Sequence, residues 1–74
     1  PGVLLLDAVL EAVRAAGGVP SGVARAKFAA PVLPGTEVEI ALAPRAGSTR
    51  IGFTCRAAGA TVLHGEIACR TAAT

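Results

Sequence analysis

The chain predicts an α+β domain in which one mostly apolar helix is followed by a curled antiparallel sheet. Three observations carry this. Apolar residues crowd residues 3–16 and stop at Gly17-Gly18; from Thr36 onward the apolar period is two; and the alternating runs are separated by short clusters rich in Gly and Pro. The 74 residues form one domain, 1–74, with the helix at about 3–16 and the sheet at about 23–70.

In the helix, Val3, Leu4, Leu5, Leu6, Ala8, Val9, Leu10, Ala12 and Val13 spread around the circumference. Steps of four and three place the remaining polar residues, Asp7, Glu11 and Arg14, in one narrow stripe. A helix so apolar is expected inside a domain, which makes Asp7 either the lip of a solvent stripe or an acid in an apolar pocket. Gly17-Gly18 supplies a left-handed cap.

Pro20-Ser21-Gly22 reads as a turn, and residues 23–28 as a strand with Val23, Arg25 and Lys27 on one side and Ala24, Ala26 and Phe28 on the other. Pro31 breaks it, and Pro34-Gly35 turns the chain. Val38, Ile40 and Leu42 then alternate with Glu37, Glu39 and Ala41. After the loop at 44–48, Ile51, Phe53 and Cys55 do the same. Ala58-Gly59-Ala60 turns into a last strand with Thr61, Leu63, Gly65, Ile67 and Cys69 on one face and Val62, His64, Glu66, Ala68 and Arg70 on the other. A simple hairpin register sets Phe53 across from Gly65, where a ring can cover bare backbone and let the sheet curl. Residues 71–74 are expected to fray.

Composition narrows the function classes. At this length folding buries only about 60% of the unfolded chain's surface. Yet the residues are 53% hydrophobic, carried by aliphatic side chains with two Phe and no Trp, Tyr or Met. Surplus apolar surface on so short a chain favours an oligomer. A formal charge of +2, with no aromatics interleaved among scattered Arg, gives no case for nucleic acid, although a mildly basic rim suits an acidic partner. No apolar run approaches the roughly 20 residues that span a bilayer, and the features of a secretory signal are missing. A start at Pro1 rather than Met suggests a piece of a longer product, with sequence upstream.

Cys55 and Cys69 read as reduced core thiols. One His and two Cys cannot build a zinc site from this chain alone. Ser21, Ser48, His64 and Asp7 hold the letters of a hydrolytic triad without a nucleophile elbow, and the Gly-rich turns lack the lysine of a phosphate loop. His64, beside Glu66 and Arg70, reads as a surface residue. Pro1-Gly2 leaves free backbone N–H groups at the helix mouth, suited to a carbonyl or oxyanion.

PGVLLLD followed by AVLE resembles the central helix of the FabA/FabZ-type 3-hydroxyacyl-acyl carrier protein dehydratases of the hotdog fold. KFAAPVLPGTEVEI resembles their next block, and HGEIACR sits where they carry their last strand. The resemblance implies a sheet wrapped around the helix, a homodimer or higher even oligomer with active sites at the interface, and a cytoplasmic hydro-lyase that forms trans-2-enoyl thioesters in fatty-acid or related acyl-chain synthesis. It implies that Asp7 is catalytic, in its Asp rather than Glu form, that the Gly2 amide holds the thioester carbonyl, and that Phe28 lines the acyl tunnel. The substrate is a thioester of acyl carrier protein or coenzyme A, with no metal or cofactor required. Two departures stand out. The catalytic His and the first strand of that fold are absent from these residues, so the base is expected upstream of Pro1. Glu11 also stands where the family usually has Gln, a second negative charge one turn from Asp7. The alternatives are a hotdog acyl thioesterase, which yields a free acid, and a non-catalytic subunit that binds acyl chains or only dimerises.

Overall fold

A computed structural model describes residues 2–70 of the chain. Pro1 and the tail expected to fray, 71–74, lie outside the described residues. The elements are α1 (Gly2–Ala15), β1 (Pro20–Phe28), β2 (Val38–Pro44), β3 (Arg50–Ala57) and β4 (Ala60–Cys69). The strands form one antiparallel sheet in the order β1-β4-β3-β2.

The helix ends where the two glycines stop it. Gly17 takes φ +93°, its N–H donates to the Arg14 carbonyl at 3.0 Å, and the Gly18 N–H donates to the Val13 carbonyl at 3.0 Å. This is the Schellman closure that a left-handed glycine permits. The chain reverses within residues 17–19, so Pro20-Ser21-Gly22 belongs to β1 rather than to the expected turn. Pro20 is tolerated there because it opens an edge strand.

Among the α1 residues whose burial is described, Val9 and Val13 are the fully buried ones, with Leu5, Leu6 and Leu10 partly buried around them. They pack on Ile51, Phe53, Cys55, Leu63 and Ile67. Each buried valine contributes about 1.5–3 kcal/mol. Expected burial on all sides is corrected here: Leu4 is 72% exposed, and Asp7, Ala8, Glu11 and Ala15 are exposed with it. The four strands cover one side of the helix and leave a solvent stripe along the other.

Alternation in β2 and β3 holds. Ile51, Phe53, Cys55 and Ala57 are buried, and Val38, Ile40 and Leu42 pack partly against them. Phe53 faces Gly65 in the register, as hairpin counting predicts. In β4 and β1 the alternation slips at bulges. Val62, expected on the polar face, is 3% exposed, because the β3–β4 register jumps from Cys55↔Leu63 to Arg56↔Thr61 and leaves Val62 as the extra residue. Its carbonyl accepts the Ala29 N–H at 2.9 Å, which ties down the exit from β1.

In β1, Ser21 and Ala24 are the extra residues. The second bulge inverts the expected faces. Val23 pairs with Ile67, Ala26 with Gly65 and Phe28 with Leu63, while Arg25 and Lys27 pair with Glu66 and His64. Val23 therefore shares the helix-side face with Ala26 and Phe28 instead of standing with Arg25 and Lys27.

Past this bulge β1 folds inward over Gly65. A Cβ at Gly65 would run into the Arg25 carbonyl oxygen and lie 2.7 Å from its carbon and 2.9 Å from the Ala26 Cα. Only glycine admits this approach. Gly65→Ala is expected to destabilise the intact protein by about 3 kcal/mol or more in denaturant titration. A change below about 1 kcal/mol contradicts the packing described.

The β3–β4 connection is a two-residue turn in which Ala58 (φ 52°) and Gly59 (φ 79°) are both left-handed. Such turns favour Asn or Gly first, since an alanine Cβ is crowded there. Ala58→Asn is expected to raise stability by about 0.5–1 kcal/mol in the same titration. A loss would show that the hairpin prefers another turn.

Candidate functional site

The candidate site lies on the exposed stripe of α1. Gly2 opens the helix, and Asp7 follows five residues later, about 7.5 Å along the axis. Helical side chains lean toward the N-terminus, which brings the Asp7 carboxyl nearer to the free N–H groups of the first turn. Val9 and Val13 fix the rotation of the helix by filling the core, and Asp7 therefore faces out. Of the two placements open in the sequence, the solvent stripe is the one found in the single chain. Leu4 and Ala8 are exposed beside it, so the acid borders apolar surface as well as the charged Glu11 and Arg14 of its own stripe.

One turn beyond, the Glu11 carboxylate accepts a hydrogen bond from the Arg14 guanidinium at 2.6 Å, and both side chains are exposed. Sequence reading put these residues in one stripe without pairing them, although their three-residue spacing is the signal for such a pair. Among the described residues, no ion pair or hydrogen bond joins Asp7 to another side chain.

Phe28 ends β1 on the helix-side face, opposite Leu63, and is 51% exposed. It shares the open side of the sheet with Val23, 43% exposed, and the described residues leave about half of each side chain uncovered.

His64 sits on the opposite face, in register with Lys27 and Thr54. The sheet separates it from α1, so it is not brought together with Asp7. Glu66, on that outer face, lies 3.9 Å from Arg25 and 3.7 Å from Arg50, linking β1, β4 and β3. Arg70, expected beside His64, falls just past β4, where its N–H donates to the Val19 carbonyl at 2.9 Å.

Both cysteines are free and buried, and burial pushes the Cys55 thiol above its ordinary range, so it stays protonated and unreactive at neutral pH. Among the described residues, no group of three or more His, Cys, Asp or Glu could hold a metal ion. No helix among them is long and apolar enough to cross a membrane. A shallow concavity lined by Glu37, Val38, Glu39, Arg56, Ala58 and Gly59 lies at the tip of the β3–β4 hairpin and does not include Asp7.

An exposed acid on a helix next to an open mouth and bare apolar surface can act on a polarised substrate only once something covers it. Comparison with curated proteins and with solved structures gives no match. The family model described as ApeI-like, ApeI dehydratase, matches residues 1–66. This is a hotdog-type dehydratase family, and the match does not single out the FabA/FabZ type. One helix against a four-stranded antiparallel sheet is compatible with that fold. With nearly the whole length matched, the chain belongs to the ApeI-like dehydratase family.

Proposed function

We propose that the intact protein is a hydro-lyase that removes water from (3R)-hydroxyacyl thioesters to give trans-2-enoyl thioesters, carried by acyl carrier protein or coenzyme A. The observation that carries this reading is the dehydratase-family match over residues 1–66, which includes the helix mouth and its acid. The fold is the hotdog, with a further strand and the base supplied by sequence outside these 74 residues.

The chemistry asks for three things. A base takes the proton next to the thioester carbonyl, electron density builds on the carbonyl oxygen, and the C3 hydroxyl departs as water while the double bond forms. In this reading the Gly2 N–H stabilises the enolate oxygen as its charge grows, with the open end of the helix dipole behind it. Asp7 holds the hydroxyl and delivers the proton that completes the leaving water. A histidine outside these residues is the base, since the one present, His64, lies across the sheet.

A second copy of the chain covers the stripe. β1 is an edge of nine residues, none fully buried, and it carries Val23 and Phe28 exposed. Pairing of β1 with its counterpart would join two sheets and cover part of the open face, with Phe28 along the acyl path.

Asp7→Asn keeps size and helix geometry and removes the acid. In the intact protein it is expected to slow hydration of a crotonyl-type thioester by roughly 10²-fold or more. Because Asp7 is exposed, stability should stay within about 0.5 kcal/mol. Near wild-type rates, or free acid rather than enoyl thioester as the product of the 3-hydroxyacyl substrate, would remove this assignment.

A further inference from the structure

Asp7, Glu11 and Arg14 occupy successive turns on one exposed stripe of α1. The Glu11–Arg14 pair adds little stability, because both ends are in water: Arg14 is 54% and Glu11 74% exposed. What it does is locate a charge. Helical side chains lean back toward the N-terminus, so Arg14 reaches Glu11, and an unheld Glu11 would lean on Asp7, whose Cβ is about 5–6 Å away. Among the described residues, the ion pair of Glu11 is with Arg14, and the sheet's ion pairs run from Arg25 and Arg50 to Glu66. On β1, Arg25 and Lys27 pair with Glu66 and His64 on the face away from the helix, and on β2, Glu39 stands opposite Arg56.

We propose that Arg14 is a positioning residue: by binding the Glu11 carboxylate at 2.6 Å it keeps a second anion off Asp7, where the substrate hydroxyl is held. This rests on the dehydratase reading. The acid on the neighbouring turn would otherwise compete with Asp7 for the same hydroxyl, holding it without the geometry to release it as water.

The test is steady-state hydration of a crotonyl-type thioester by the intact protein, with helix content matched by circular dichroism. Arg14→Gln is expected to lower kcat severalfold with KM little changed, and Arg14→Lys to retain most of the wild-type rate. Adding Glu11→Gln to Arg14→Gln should restore kcat, which a purely structural role of the pair would not do. An unchanged kcat in Arg14→Gln, or a loss that Glu11→Gln fails to reverse, overturns the proposal. Asp7→Asn in the same assay separates the two levels of argument. If it is inactive while Arg14→Gln is unaffected, only the positioning role falls; if it is active, the dehydratase site falls with it.

Discussion

A single missing side chain sets the shape of this domain. Because Gly65 has no Cβ, the backbone of Arg25 and Ala26 can lie where one would be, and β1 folds onto the helix side of β4. The core depends on that inward turn. Leu63 and Ile67, two residues to either side, are fully buried against Val9 and Val13, and the β1 backbone closes the gap between them. The same turn follows the Ala24 bulge, which sends Arg25 and Lys27 outward to Glu66 and His64 and leaves Val23, Ala26 and Phe28 inward. One close approach thus divides the sheet into a charged outer face and an apolar face that carries the helix.

The division explains what could be read in advance and what could not. The end of α1 was legible because Gly17-Gly18 can close a helix in only a few ways, and β2 and β3 because their apolar period is strictly two. The pairing of Phe53 with Gly65 followed from counting back from a short turn. The bulges at Ser21, Ala24 and Val62 left no comparable mark, since an extra residue in a strand changes the register without requiring a particular side chain. Those at Ala24 and Val62 inverted faces that alternation had assigned, and the one at Ser21 lies in a segment expected to be a turn. The expected burial of α1 failed for a different reason. Composition reports how much apolar surface a helix has, not which molecule covers it, and half of this helix is left uncovered by the four described strands.

The site shows the same limit. Asp7 stood out by motif resemblance, and periodicity alone put it on a stripe shared with Glu11 and Arg14. Whether that stripe met solvent or an apolar pocket depended on the rotation of the helix, which Val9 and Val13 decide. The result is an acid flanked by Leu4 and Ala8 in the open, a costly way to display apolar surface in a finished protein. In the proposed dimer a second subunit would cover that surface. It would dry the stripe and strengthen the proposed interaction of Asp7 with a bound hydroxyl.

Association through β1 is the claim on which this account rests most heavily. The direct measurement is sedimentation of the intact protein at micromolar concentration, combined with hydrogen exchange at the β1 amides. The account predicts a dimer, or a higher even oligomer, in which amides of residues 25–28 exchange far more slowly than those of an open edge strand. A folded, monodisperse monomer, or an oligomer whose β1 amides exchange freely, would contradict it.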